Sequence, residues 1–205
     1  MELNINKIKA VIFDMDGVIF DTEKTFRVYS ELYDMLELKQ NSKENNYELK
    51  LQDRFNWSEE QINDFFNKYC RKIMKETSFM PGAKEVLKML KKDGHSLIII
   101  TARGGFDKEV INITHDRLKK ANMDIFDKYF FEAKDKAKIC QDEGVFVMID
   151  DSLNICKSVS SEKIHSIYLK DAPSSETKDS LYLKTLYNWG EIYRYLNENK
   201  KASDN

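Results

Sequence analysis

The stretch VIFDMDGVIFD, residues 11–21, determines how the rest of the sequence is interpreted. It starts as an apolar run typical of a buried strand and passes directly into aspartates. Side chains of an extended chain alternate between two faces, so Asp14 and Asp16 point the same way, and each negative charge disfavours the other. Such a pair destabilises the fold unless a cation lies between the carboxylates. The stretch therefore predicts a strand that ends at a cation-binding site.

The composition indicates a folded protein with no strong overall charge. The chain has 205 residues, 41% of them hydrophobic, and a formal net charge of -2, which suits one sizeable domain or a core with a small insert. We therefore expect neither long nucleic acid nor a membrane as partner, whereas a small phosphorylated substrate fits a locally positive pocket. The three cysteines form no CxxC pair, and no apolar run approaches the ~20 residues of a membrane span. These features predict reduced thiols and a cytoplasmic location.

Short apolar runs alternate with amphipathic stretches, which is typical of an α/β protein with a parallel sheet flanked by helices. The predicted strands are 9–13, 96–100, 128–131, 145–149 and 165–169, and the predicted helices are 81–93, 107–121, 134–143, 152–160 and a closing helix over 188–199. The segment 22–79 breaks the alternation, because it contains two long helical stretches and no strand-like run. We expect a core domain of residues 1–21 and 80–200, a small helical cap of residues 22–79 inserted after the first strand, and a flexible tail of residues 201–205.

Polar side chains follow the ends of three predicted strands. Ligands of open parallel sheets bind beyond the carboxyl ends of the strands. Thr101 follows the second predicted strand, and a second carboxylate pair, Asp150 and Asp151, follows the fourth. The lysine-rich stretch KDKAKIC, residues 134–140, lies shortly before that pair. We expect the topology to bring these side chains to the same edge of the sheet as Asp14.

These residue types suit phosphoryl transfer. Carboxylate oxygens are the ligands that Mg²⁺ prefers, and the ion would neutralise Asp14 and Asp16 at close range. One aspartate can attack phosphorus, and the other can give a proton to the leaving oxygen and later take one from water. Gly17 lets backbone N–H groups approach phosphate oxygens, Thr101 can donate to phosphate, and a lysine can neutralise the transferred group. Phosphoryl transfer depends mostly on such positioning and charge stabilisation.

The order DMDGV, a strand ending in Thr, a lysine and DD resembles the haloacid dehalogenase-type phosphohydrolase superfamily over residues 14–151. The resemblance implies that Asp14 is the nucleophile and that Asp16 is the general acid/base, with its backbone carbonyl on the metal. It also implies that Asp150 completes the Mg²⁺ site and that Asp151 is a further metal ligand, directly or through water. Thr101 and Lys136 would hold the phosphate during catalysis. In all, the expected substrate-binding residues are Gly17, Thr101, Ala102, Arg103 and Lys136.

A narrower resemblance points to one branch of that superfamily. The stretch DKAKICQDEGVFVMIDDS, the helical insert, ITARG, DAP at 171–173 and the closing NWGEIYRYL are similar to the 5′(3′)-deoxyribonucleotidase-like branch and its bacterial relatives. In that branch the lysine follows an acid, as Lys136 follows Asp135, and Lys134 is the alternative. Animal members tend to carry a base-contacting aromatic where this chain has Thr22. The branch implies a 5′-nucleotidase acting on nucleoside monophosphates. A sugar-phosphate phosphatase, a phosphosugar mutase and a non-catalytic nucleotide binder remain alternatives.

Overall fold

The computed structural model describes residues 10–46, 51–170 and 179–201, and its centre is a six-stranded parallel sheet. The strands lie in the order β3-β2-β1-β4-β5-β6, so the end of β1 lies between the ends of β2 and β4. The predicted α/β fold with a parallel sheet is confirmed. The strand bounds are β1 Ala10–Phe13, β2 Ser96–Ile100, β3 Lys128–Phe130, β4 Val147–Asp150, β5 His165–Leu169 and β6 Leu183–Leu186.

Both faces of the sheet are covered, which explains why its central strands are continuous apolar runs rather than alternating ones. In β1, Val11 and Phe13 belong to the larger apolar cluster of the core. Ile12, whose side chain points the other way, belongs to a second cluster with Ile98 and Ile100 of β2. Burial on both faces fixes the strand register, because a slip of one residue would exchange the two sets of side chains.

The predicted helices outside the segment 22–79 are present, with each end shifted by one or two residues. Within that segment, α3 begins as predicted at a capping box: the Ser58 hydroxyl accepts from the Gln61 N–H at 3.2 Å, and the Gln61 side chain accepts from the Ser58 N–H at 2.9 Å. α1 continues as a π-helical turn over Tyr33–Glu37. The helix bounds are α1 Thr22–Leu32, α2 Leu51–Arg54, α3 Glu59–Glu76, α4 Ala83–Lys92, α5 Glu109–Lys120, α6 Lys136–Asp142, α7 Leu153–Ser161 and α8 Trp189–Lys201.

The helices of the segment 22–79 build an aromatic-rich apolar cluster of their own. Tyr33, Trp57 and Phe65 are buried in it, with the ring of Tyr33 5.1 Å from that of Trp57 and 5.5 Å from that of Phe65. Val110 and Ile113 of α5 complete the cluster, so these helices pack against one helix that flanks the sheet. The division into a core domain and a cap remains a prediction.

The chain enters and leaves this segment at neighbouring positions. Phe20 pairs with Phe79 in an antiparallel bridge, and their ring centroids are 4.5 Å apart. The Asp21 N–H donates to the Ser78 carbonyl at 2.8 Å, and the Met80 N–H donates to the Ile19 carbonyl at 2.8 Å. We refer to residues 19–21 and 78–80 as the paired linkers.

The structure corrects the sequence prediction at several elements. β6 and α2 were not predicted, because the LKTL run of β6 is short and contains Lys184 and Thr185, and α2 follows a polar stretch. The predicted strand 145–149 begins too early, since the Val145 N–H donates to the Cys140 carbonyl at the end of α6. α8 includes Lys201, the first residue of the predicted tail. Residues 202–205, residues 1–9 and the DAP motif at 171–173 lie outside the described residues. No helix within the described ranges is long and apolar enough to cross a membrane.

Candidate active site

Asp14 lies directly after β1, and its carboxylate is fixed at two points. Its backbone N–H donates to the Ile149 carbonyl at 3.0 Å, which continues the pairing with β4. Its Oδ1 accepts from the Met15 N–H at 2.7 Å, and its Oδ2 lies 2.9 Å from the Lys136 Nζ. Burial raises the pKa of Asp14 to about 7, although the charge of Lys136 opposes the increase. The carboxylate is thus oriented, shielded from water and close to one cation.

Lys136 connects Asp14 to the end of β4. Its Nζ lies 2.8 Å from Asp150 Oδ2, and the other Asp150 oxygen accepts from the Ser152 N–H at 2.8 Å. Asp150 is fully buried and Lys136 nearly so. Lys136 begins α6, where Asp135 caps the helix by accepting from the Lys138 N–H at 3.0 Å. Of the two lysines that the sequence left open, the structure places Lys136 between the carboxylates.

Three carboxylates meet at this edge of the sheet. Asp14, Asp150 and Asp151 each offer an oxygen, and these oxygens lie within 4.8 Å of one another. With Lys136 as their close cation, the group carries a negative excess once its three carboxylates are ionised. Hard oxygen ligands with negative excess suit a divalent ion such as Mg²⁺. The residues therefore fit the predicted metal.

Gly17 allows Asp151 to join the cluster. Its φ of +71° lies in the left-handed region, and a Cβ atom at this position would lie 1.9 Å from Asp151 Oδ2. Its own N–H donates to the Phe20 carbonyl at 2.9 Å. A glycine is therefore required here both by the backbone conformation and by the close approach of a carboxylate.

Asp16 points to different partners. Its carboxylate accepts from Arg103 Nε at 3.0 Å and from Arg103 Nη2 at 2.6 Å, and the Thr22 hydroxyl donates to it at 2.5 Å. Burial would raise the pKa of Asp16, but the charge and hydrogen bonds of Arg103, helped by Thr22, hold it below its usual value. The two aspartates of the DMD motif thus lie in different environments: one is in the carboxylate cluster and the other is in an ion pair.

Arg103 is itself fixed by its surroundings. Its side chain is 2% exposed, its Nη1 donates to the Thr114 hydroxyl at 3.0 Å, and its guanidinium carbon lies 4.9 Å from the centre of the Phe20 ring. The sequence predicted a substrate-binding role for Arg103 and gave no indication of its contact with Asp16. Thr22, Thr114 and Phe20 were not predicted as supporting residues, because no local motif connects them.

The remaining predicted residues lie on the loop after β2. Thr101 is buried, and its hydroxyl accepts from the Arg103 N–H at 3.3 Å. Ala102 is exposed, and its carbonyl accepts from the Gly105 N–H at 3.2 Å. The loop starts beside the end of β1, because β2 pairs with β1. The phosphate-binding roles of Thr101 and Ala102 remain predictions.

Comparison with known proteins gives a match to one family model and similarity to solved structures. The family model for haloacid dehalogenase-like hydrolases matches residues 11–139. The chain is similar to a haloacid dehalogenase-like family hydrolase from Streptococcus pneumoniae, at 17% identity and a TM-score of 0.67 over 92% of this chain and 98% of that one. Among curated proteins, no significant match was found.

Two further solved structures show the same fold. A predicted phosphatase from Clostridium acetobutylicum is 18% identical, with a TM-score of 0.65 over 94% of this chain and 100% of that one. A predicted phosphoglycolate phosphatase from Haemophilus somnus is 17% identical, with a TM-score of 0.60 over 94% of this chain and 99% of that one. At these identities the likeness concerns the fold alone.

Proposed function

The chain belongs to the haloacid dehalogenase-like hydrolases, and on this premise we propose that it hydrolyses phosphomonoesters through an aspartyl-phosphate on Asp14. One observation carries the proposal: Lys136 Nζ lies 2.9 Å from Asp14 and 2.8 Å from Asp150, inside a cluster of three carboxylates at the sheet edge. A fixed nucleophile beside a lysine and a set of hard oxygen ligands matches the needs of phosphoryl transfer.

Mg²⁺ is the proposed cofactor. Asp14, Asp150 and Asp151 would hold it through carboxylate oxygens, and Asp16 would contribute its backbone carbonyl. When bound, the ion would supply positive charge that neutralises the carboxylates and stabilises the charge of the phosphoryl group.

The side chains of the protein divide the reaction between them. A carboxylate oxygen of Asp14 forms a bond to phosphorus while the bond from phosphorus to the leaving oxygen breaks, and protonated Asp16 gives that oxygen its proton. Because Arg103 holds the pKa of Asp16 low in the free protein, Asp16 takes up this proton when the substrate brings negative charge beside it. Water then attacks the same phosphorus, Asp16 accepts a proton from it, and the bond from phosphorus to Asp14 breaks. Inorganic phosphate and an alcohol leave, and both aspartates return to their starting state. Lys136 orients Asp14 throughout and offsets negative charge.

The proposed substrates are nucleoside monophosphates, which makes the protein a 5′-nucleotidase. The similarity of the stretch around Lys136, Asp150 and Asp151 to the deoxyribonucleotidase-like branch supports this substrate class. A second candidate is a sugar-phosphate phosphatase or mutase, which would use the same two aspartates. A binder without activity is the third. A cytoplasmic location, and a small phosphorylated molecule rather than long nucleic acid as partner, belong to the same proposal.

Phosphate release from a panel of nucleotides and sugar phosphates tests this function. It is measured with Mg²⁺ and with chelator, for the wild type, for Asp14→Asn and for Asp116→Asn, an exposed acid on α5. We expect Mg²⁺-dependent release from nucleoside monophosphates that is lost in Asp14→Asn and kept in Asp116→Asn. Full activity of Asp14→Asn would refute the mechanism. Release confined to sugar phosphates would change the substrate class, turnover only with a bisphosphate activator would indicate the mutase, and nucleotide binding without turnover would indicate the binder.

A further inference from the structure

Phe106 is an exposed aromatic residue on the loop that follows β2. Its side chain is 54% exposed, and it comes five residues after Thr101 and three after Arg103. A single exposed apolar residue is ordinary on a protein surface. The position of Phe106 on this loop, and its aromatic neighbours, distinguish it from such residues.

The loop that carries Phe106 is fixed beside the candidate active site by the contacts of Arg103. Arg103 is bound to Asp16 by its guanidinium, and its carbonyl accepts from the Glu132 N–H at 3.0 Å. Gly104, with φ of +92°, turns the chain after Arg103. Three residues of chain span at most about 11 Å, so the Cα of Phe106 lies within that distance of the Cα of Arg103. Phe106 is thus close along the chain to the residue that holds Asp16, the proposed general acid/base.

Helix α3 faces the loop from the segment 22–79. The Phe66 ring centroid lies 5.4 Å from that of Phe106 and 5.9 Å from that of Phe26. The next residue of the loop, Asp107, receives two hydrogen bonds from Arg71 of α3, at 2.5 and 3.1 Å. The loop after β2 and helix α3 are therefore in contact at this point, and Phe106, Phe66 and Phe26 form a row of neighbouring rings.

We propose that Phe106, backed by Phe66, stacks on the base of a nucleoside monophosphate and selects nucleotides over phosphorylated sugars. The inference rests on the proposed function and specifies its substrate class. A phenylalanine ring offers a flat apolar face, which suits the face of any base. It has no group that can bind sugar hydroxyls. The contact thus favours a base without choosing strongly among the four.

The test compares a nucleoside 5′-monophosphate with ribose 5-phosphate, which has the same phosphate ester and no base. KM and kcat are measured for the wild type, Phe106→Ala, Phe106→Trp and the control Leu181→Ala, which removes an apolar side chain that is 63% exposed at another site. We expect Phe106→Ala to raise KM for the nucleotide by about 5- to 150-fold, the usual range for one stacked base. Values for ribose 5-phosphate should stay within about twofold, Phe106→Trp should keep the preference, and Leu181→Ala should match the wild type.

Equal effects on both substrates, or an unchanged nucleotide KM in Phe106→Ala, would overturn the inference and leave the proposed hydrolase standing. Calorimetric binding of the same two ligands to Asp14→Asn, with and without Phe106→Ala, measures the preference independently of turnover. Base-dependent binding that disappears with Phe106 would support the inference even if no substrate were hydrolysed, and only the proposed hydrolase would then fail. If Asp14→Asn bound the nucleotide and ribose 5-phosphate with equal affinity, the inferred role of Phe106 would be refuted.

Discussion

Arg103 donates two hydrogen bonds to the Asp16 carboxylate, from Nε at 3.0 Å and from Nη2 at 2.6 Å, although the two residues are 87 positions apart in the sequence. Such a two-point contact fixes the plane of a carboxylate as well as its position. Because Thr114 and the Phe20 ring hold Arg103 in turn, Asp16 cannot rotate freely. The orientation of the proposed general acid/base is therefore set by a residue outside the DMD motif.

Replacing Arg103 should weaken catalysis through Asp16. We expect Arg103→Met to lower kcat/KM for a nucleoside monophosphate by up to about 100-fold, since a misplaced catalytic group commonly has an effect of that size. With p-nitrophenyl phosphate, whose leaving group needs no proton, the loss should be much smaller. In an Asp16→Asn background the substitution should have no further effect. Equal losses with both substrates, or additive losses, would instead indicate that Arg103 binds the phosphate directly.

Mg²⁺ binding should release protons near neutral pH. Burial raises the pKa of Asp14 to about 7 from an ordinary 3.8, so the metal-free folded state binds more protons than the unfolded chain between these values. This carboxyl therefore lowers stability as pH rises from about 4 to about 7, and a bound cation reverses the effect by favouring the ionised form. Mg²⁺ affinity should rise from pH 6 to pH 8. Calorimetry in two buffers of different ionisation enthalpy measures the protons, and Asp14→Asn should release fewer.

Gly17→Ala should disturb the metal site as well as the backbone. Both Gly17 and Gly94 have positive φ, but a Cβ at Gly17 would meet Asp151 Oδ2 at 1.9 Å, whereas a Cβ at Gly94 would have nothing within 4 Å. Each alanine substitution should lower the free energy of unfolding by about 1–2 kcal/mol, because an L-residue is strained in this conformation. Mg²⁺ affinity should fall in Gly17→Ala alone. An unchanged Mg²⁺ affinity in that variant would contradict the placement of Asp151 in the site.

Lys136 and Lys134 should differ sharply in importance. Lys136→Met leaves Asp14 and the fully buried Asp150 without their shared cation, and removal of one partner from a buried ion pair costs about 3–5 kcal/mol. Lys134 is exposed, so Lys134→Met should change the unfolding free energy by less than about 0.5 kcal/mol. Chemical denaturation of the metal-free proteins measures the difference, and phosphate release should be lost in Lys136→Met alone. Similar behaviour of the two variants would contradict the structure.

The sequence predicted the candidate site best where a site residue directly follows a buried strand. Asp14 and Asp150 follow apolar runs, and the parallel sheet brings such ends together, so their proximity followed from topology. The contact between Arg103 and Asp16 did not, because it depends on side-chain directions set by Thr114 of α5. β6 was missed for a different reason: a four-residue edge strand with two polar residues has no periodicity that distinguishes it from a loop.

The paired linkers restrict how the segment 22–79 can move. Two linkers that did not pair with each other would act as independent hinges. The paired linkers instead form a short antiparallel ribbon, which backbone hydrogen bonds join on both sides of Phe20 and Phe79. Arg117 of α5 also donates to the Met74 carbonyl at the end of α3, at 2.7 Å, so this end is anchored beside the ribbon. Any rotation of the segment about these linkers would also have to break the contact between Arg71 of α3 and Asp107, so the segment is held both at its linkers and along α3.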